Sequence, residues 1–343
     1  MTGASRRWGV EHMLTNLMGL RRQAWGDVQA RLRHLPRMKP LRNLLAEVPD
    51  LSSPTPRDTP MVDATRVDAY RHAIERYVGP ERTVVDVCTG NGLRAILAAR
   101  CKPGKLYAVD ASRNLDTAQW VACRNGFTDI EFVRSDISRF QPAEKVDVLL
   151  HEQVGDGLFD AGLIPKLLDA RDRLLAPGGR ILPNRFDVFF EPVQLREEAR
   201  VPFIWDQRLP NVDFSCLQIL RDMLDPAYFT RIIRPQDVER SLCEASPVFT
   251  LDLETLRAGS LPKRLELERP VVRGGRMDGL CLFYRAHFDS SLSYDTFPER
   301  PRACAPVMLL RTDARDFARY ETIRLELSLP DLADVTTWRW NSL

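Results

Sequence analysis

Between Thr83 and Pro183 short apolar runs alternate with longer amphipathic stretches, which is the rhythm of strands separated by helices. The apolar runs predict strands at 83–87, 105–109, 130–134 and 146–150. The stretches between them predict helices at 91–101, 113–125 and 161–175, with Pro177-Gly178-Gly179 ending the last one and Arg180–Pro183 forming the next strand. A further helix is predicted at about 63–77, because Val67, Tyr70, Ile74 and Tyr77 share one face. Ahead of it, residues 49–60 are rich in Pro, Ser and Thr and read as a linker. Met13, Leu17, Leu20 and Trp25 stand at helical spacing within a basic N-terminal segment and predict a docking helix.

After Arg185 the period changes. Asp187–Phe190, Val248–Leu251, Gly279–Phe283, Val307–Leu310 and Ile323–Leu327 alternate or run apolar over short spans, the pattern of antiparallel strands. Residues at about 203–240 interrupt them with Trp205, Phe214, Leu220, Met223 and Tyr228 among polar residues, and predict a helical excursion. The predicted organisation is a basic helical extension and linker (1–60), a Rossmann-like doubly wound α/β domain (61–185) and an antiparallel β-barrel domain (186–343) that carries the excursion.

Composition narrows the class only modestly. Hydrophobic residues make up 44% and charged residues 28% of the 343, as in an ordinary globular enzyme. The formal net charge is 49 − 47 = +2, so nothing at whole-chain level calls for a nucleic acid partner. The local basic excess before residue 50 reads first as a solvated helix face. Seven scattered cysteines without a CxxC pair argue against a zinc site and against a disulfide framework, and no metal is expected. No apolar run approaches the roughly 18 residues that span a bilayer, and no signal peptide opens the chain. The expectation is a cytoplasmic protein.

The chemistry begins at Val84–Leu93. A hydrophobic strand ends in a glycine-bearing turn (Cys88-Thr89-Gly90-Asn91-Gly92), a helix-forming run follows, and the next strand ends in Asp110. Strand, glycine turn, helix, strand and terminal acid form a nucleotide-binding half-site, in which Gly90 and Gly92 admit close approach to a ligand. A dinucleotide site would carry a third glycine, G-x-G-x-x-G, which is missing here. The pattern D-x-x-x-G-x-G with an acid after the following strand instead resembles class I S-adenosylmethionine methyltransferases. That resemblance implies Asp86 near the methionine amino group, Asp110 on the ribose, and Asp136 with Ile137 at the adenine. Cys88, standing where a glycine is usual, reads as a small buried apolar residue.

The fourth strand runs into His151-Glu152, and further on come Ala170–Gly179 and Arg180–Arg185. This succession, from about Asp63 to Leu327, resembles the catalytic core of the protein arginine methyltransferases. The resemblance implies S-adenosyl-L-methionine as cofactor, Arg66 clamping its carboxylate, and Glu152 beside it and gripping the acceptor guanidinium. It also implies a head-to-tail homodimer whose arm is the 203–240 excursion. The family pairs its first loop glutamate with a second one nine positions on. That position is Ala161, with Asp160 beside it and Asp156 in the same loop, so Asp160 is the expected substitute. The approach Thr296–Pro301 leads to Ala303-Cys304-Ala305 where the family has Thr-His-Trp. Carboxylates suit this reaction because a guanidinium is a delocalised cation and must have one nitrogen oriented toward the methyl donor. The expected activity is N-methylation of a guanidino nitrogen, on free arginine, a related small metabolite, or a peptide or protein. A different N- or O-nucleophile and a non-catalytic dimeric scaffold are the alternatives. His151 reads as a packed histidine with one hydrogen bond rather than as a base.

Overall fold

Asp63 starts the first helix, α1 (Ala64–Tyr77), its carboxylate accepting from the Arg66 backbone N–H at 3.3 Å, an N-cap arrangement. Arg66, Ala69, Tyr70, Ala73 and Ile74 form its buried face. Val78 turns extended, and Gly79-Pro80 leads into β1 (Thr83–Val87), of which Val84, Val85, Asp86 and Val87 are buried. The computed structural model describes residues 63–152, 163–209, 212–218, 224, 226–257, 259–297, 299, 306–332 and 334–342, all within one unit, Thr59–Leu343. The predicted N-terminal docking helix and linker lie outside the described residues.

The elements that follow are α2 (Leu93–Arg100), β2 (Lys105–Asp110), α3 (Asn114–Arg124), β3 (Glu131–Arg134), β4 (Val146–Leu150), α4 (Leu163–Leu174) and β5 (Leu175–Leu182). The five strands pair in parallel in the order β3-β2-β1-β4-β5. Strand order therefore reverses between β1 and β4, and the crevice beyond their carboxyl ends is where ligands bind in such sheets. One sequence expectation needs correction. Pro177-Gly178-Gly179 does not end a helix: α4 stops at Leu174, and the three residues lie inside β5. The reason is steric. A Cβ on Gly179 would come within 3.1 Å of the Asp147 carbonyl, so glycine lets β5 lie against β4.

The rest of the chain is antiparallel. β6 (Arg185–Leu195), β9 (Thr230–Ile233), β10 (Val238–Ser241), β13 (Gly275–His287) and β15 (Val307–Phe317) form the path β10-β6-β13-β15-β9, with β11 (Phe249–Asp252) on β6 and β14 (Ser293–Asp295) on β13. β12 (Arg264–Pro270), β16 (Thr322–Ser328) and β17 (Arg339–Ser342) make a second sheet. Both sheets feed one apolar core, in which the Trp338 ring meets the edge of Phe190. Parallel α/β followed by antiparallel β is the class that the change of period predicts.

The helical excursion at about 203–240 is corrected among the described residues. They form 3-10 turns at Ile204–Asp206, Pro226–Phe229 and Pro235–Asp237, a two-stranded ribbon of β7 (Arg208–Leu209) with β8 (Val212–Asp213), and the sheet strands β9 and β10. Pro226 and Pro235 cannot donate within a helix, and Thr230–Ile233 and Val238–Ser241 find ladder partners on β15 and β6 instead. Phe203, Trp205 and Phe229 pack with Trp340, whose indole donates to the Arg311 carbonyl at 2.8 Å.

Candidate active site at the carboxyl ends of strands β1 and β4

The glycine turn after β1 is held from both sides. Asp110, at the end of β2, accepts the Gly90 N–H on Oδ2 at 2.8 Å and the Ser112 N–H on Oδ1 at 2.7 Å. Each carboxylate oxygen has further lone-pair capacity, so both remain able to take a ribose hydroxyl. Among the described residues only the Cys88 carbonyl, at 3.9 Å, lies near where a Cβ on Gly90 (φ 58°) would stand, so none of them fills its Cβ side. Gly92 (φ 84°) differs. A Cβ there would meet the Ala118 Cβ at 2.8 Å, so its role is the close approach of α2 to α3. Cys88 also has positive φ (52°) and is exposed, which corrects its expected burial: the turn lifts this side chain out of the core.

Asp86 is fully buried in β1. Its Oδ1 takes the Arg94 Nε–H at 2.8 Å and its Oδ2 the Thr89 hydroxyl. Burial pushes the Asp86 carboxyl up, against the pull of Arg94 and Thr89. Fully buried and bonded through both oxygens, Asp86 braces the turn from behind. Asp136, in the turn after β3, caps that turn by accepting from the Ser138 N–H at 2.9 Å, and Lys166 lies 3.5 Å from its other oxygen. Ile137 next to it is buried.

Glu152 follows β4 and sits between two guanidiniums. Arg66 Nη2 lies 2.6 Å from Oε1, at ion-pair distance, and Arg94 Nη1 donates to Oε2. Burial pushes the Glu152 carboxyl up, but the two cations outweigh it and hold it below the usual carboxylate range. Arg66 is itself buried and lies over the Tyr294 ring at 5.6 Å, so β14 of the antiparallel half helps seat it. Its Nε has no hydrogen-bond partner among the described residues. Arg94 is buried and bound on three sides, its Nη2 donating to the Cys88 carbonyl at 3.0 Å. Tyr70, one turn beyond Arg66, donates its hydroxyl to the His151 carbonyl at 2.8 Å and pins the end of β4.

His151 is a packed residue, as its place at a strand end predicts. Its Nε2 lies 2.8 Å from the Pro183 carbonyl, which can only accept, so Nε2 carries the proton. Burial pushes the imidazole down to about 4, so it is neutral near pH 7. Asp156, Asp160, Ala161 and Ala303-Cys304-Ala305 lie outside the described residues. Among the described residues no cluster of His, Cys, Asp and Glu could hold a metal ion. A surface hollow of about 710 Å³, lined in part by Lys145, Arg171, Gly179 and Glu254, lies toward the opposite ends of β4 and β5 from Glu152.

Thus Arg66 and Asp86 are linked to Glu152, directly or through Arg94, and Gly90 to Asp110, with Gly92 in the same turn, at the carboxyl ends of β1, β2 and β4. Arg94, Tyr70 and Tyr294 join them, none marked as a site residue by a motif in the sequence. For Arg94 a signal existed: the buried face of α2 is Arg94, Ala95 and Ala98, a cation on an otherwise apolar stripe.

No protein-family profile matches the chain. It is 32% identical over 203 residues to protein arginine N-methyltransferase 6 of Danio rerio, covering 57% of each chain. It is 24% identical over 244 residues to protein arginine N-methyltransferase 1 of Dictyostelium discoideum, covering 69% of this chain and 70% of that one. The chain spans a little over half the length of the first relatives it matches. In fold it is similar to a Trypanosoma brucei protein arginine methyltransferase 1 from an enzyme–prozyme heterotetramer with AdoHcy, at TM-score 0.68 and 23% identity, covering 78% of this chain and 85% of that one. In sequence and in fold, then, the chain is similar to protein arginine methyltransferases.

Proposed function

We propose that the chain is an S-adenosyl-L-methionine-dependent methyltransferase acting on a guanidino nitrogen of arginine, whether free, in a related small metabolite, or in a peptide or protein. One observation carries this reading: a buried arginine whose Nε has no partner among the described residues stands beside an ionised glutamate at the switch point of a parallel sheet. An unpaired buried guanidinium N–H is costly, and a ligand carboxylate is its natural complement. Asp110 with spare acceptor capacity and the open side of Gly90 fit a ribose lying across the turn. The residues present therefore suit this cofactor.

When bound, the cofactor supplies an electrophilic methyl group on a sulfonium. Arg66 would hold its carboxylate, Asp110 its ribose, and Asp136 with Ile137 its adenine end. Gly90 and Gly92 shape the turn beneath it, and Asp86 fixes that turn through Thr89 and Arg94. Glu152 would accept N–H bonds from the acceptor guanidinium and aim one nitrogen into the crevice, which is mainly positioning and electrostatics. Glu152 need not act as a strong base, since Arg66 and Arg94 keep it ionised. We assign Asp160, or failing it Asp156, as the second carboxylate on the acceptor.

The relatives' names supply the acceptor class, which comes to this chain by analogy. The same reading makes the protein a cytoplasmic homodimer, and sedimentation of the full chain tests the dimer. No helix among the described residues is long and apolar enough to cross a membrane. The central test is transfer of a labelled methyl group to free arginine, arginine peptides and a lysate, with products identified by mass spectrometry. Label on a guanidino nitrogen supports the reading. S-adenosylhomocysteine binding with label only on other atoms favours the alternative nucleophile, and absence of binding removes both enzymatic readings.

A further inference from the structure

Both oxygens of the acceptor-gripping carboxylate are already engaged by this chain's own guanidiniums: Arg66 at Oε1 and Arg94 at Oε2. Only the Arg66 contact belongs with holding a cofactor. Arg94 comes from the first turn of α2 and is fixed there independently of Glu152, by Asp86 at 2.8 Å through Nε and by the Cys88 carbonyl at 3.0 Å through Nη2. Its third N–H group is the one turned to Glu152.

We propose that Arg94 is a specificity-determining residue, an internal guanidinium that occupies the edge of Glu152 an acceptor guanidinium would use. The proposal rests on the methyltransferase reading and deepens it. Two cations flank one carboxylate here, and Arg94 stays charged at any physiological pH. An incoming guanidinium therefore meets an Oε2 already bonded to a donor, with a like charge beside it. To bind, it must take over that one bond, while Arg94 keeps its other two. Asp86 and the Cys88 carbonyl hold Arg94 in place, so the competitor is built into the strand–turn–helix unit and cannot diffuse away. Such an element selects by disfavouring binding. A bare cation is bound weakly, and only an acceptor with further contacts outside Glu152 is held.

Arg94→Gln tests this. The shorter amide reaches Asp86 from about where Nε stands, removes the charge, and vacates Oε2. The probe is propylguanidinium, titrated calorimetrically into the full-length protein saturated with S-adenosylhomocysteine. Arg94→Gln is expected to bind the probe at least ~10-fold more tightly than wild type, the scale of about one charge-assisted hydrogen bond. Arg94→Lys, which keeps the charge, is expected to gain less. With an arginine peptide as acceptor, Arg94→Gln is expected to lower KM by a larger factor than it changes kcat. A merely structural residue would instead lower kcat and weaken S-adenosylhomocysteine binding together.

If Arg94→Gln fails to fold, Asp86→Asn/Arg94→Gln removes the buried pair as a unit and leaves Glu152 free for the same titration. Equal or weaker probe binding in the folded variant overturns the proposal. Tighter probe binding without methyl transfer to any guanidinium by wild type or variant upholds the role of Arg94 and overturns the acceptor assignment. Methyl transfer with unchanged probe binding does the reverse.

Discussion

Gly92 and Ala118 touch so closely that a Cβ on the glycine would fall 2.8 Å from the alanine Cβ. Gly92 also sits at φ 84°, where an L side chain is strained. Gly92→Ala is therefore expected to destabilise the fold by about 2–4 kcal/mol, the left-handed and overpacking costs together. Gly90→Ala shares only the backbone cost, about 1–2 kcal/mol, because its Cβ side is open. Its larger effect should be on S-adenosylhomocysteine affinity, as the added methyl enters the ligand's space. Urea unfolding and calorimetry on the two variants check the contrast; equal stability losses would contradict it.

His151 makes stability depend on pH. Its folded value, near 4, lies below the 6.5 of an exposed imidazole, so the unfolded chain binds the extra proton first. Stability is therefore full above about pH 6.5 and falls as pH drops toward 4, by up to about 3 kcal/mol from this one group. His151→Gln lacks the titration. The difference between wild type and variant in urea midpoint, followed from pH 7 to pH 4, should shrink or invert as pH falls. A constant difference would show that His151 is not held neutral.

Glu152→Gln keeps the shape but removes the charge between Arg66 and Arg94. Turnover on a guanidino acceptor is expected to fall at least ~100-fold, the scale for losing a preorganised electrostatic group. Because the wild-type carboxyl lies below the usual range, it stays ionised across neutrality. The rate profile of the wild type should therefore show no rising limb from this group between about pH 5 and 8. Near-normal turnover of the variant in a labelled-methyl assay would remove Glu152 from the mechanism.

Arg269 and Glu191 form a buried ion pair in the antiparallel half, with Arg269 Nη2 2.7 Å from each Glu191 oxygen. Glu191 also accepts the Ser246 N–H at 2.9 Å. Arg269→Met leaves that carboxylate buried and uncompensated, and should cost about 3–5 kcal/mol. Glu191→Gln/Arg269→Met should recover part of the loss. Thermal melting of the single and double variants measures this, and a double variant no more stable than the single one would argue against the charge as the cause.

Where sequence pattern and structure agree, the determining forces are local. β1, β2 and β4 fall where apolar runs predict them, and α1 begins at its Asp63 cap. The glycine turn and Asp110 were legible because both follow strand ends within one strand–helix–strand unit. Misread segments are those in which distant partners override local preference. Pro177-Gly178-Gly179 looks like a helix stop, yet it lies inside β5 as an irregularity between Leu175 and Arg180, which pair with β4. Thr230–Ile233 and Val238–Ser241 look like part of a helical excursion, yet β15 and β6 offer them ladder partners.

The site divides in the same way. Sequence by itself determined the fold class, the turn at Cys88–Gly92 and the acids that flank it, because backbone conformation and hydrophobic period depend on near neighbours. It did not distinguish Gly90, open to a ligand, from Gly92, packed on Ala118. Nor did it show that Arg94 bridges Asp86, eight residues back, and Glu152, 58 residues on. Only the tertiary structure decided those points. A buried charge is tolerated where opposite charges from other elements converge on it, and that convergence exists only once β1, β4, α1 and α2 have packed together.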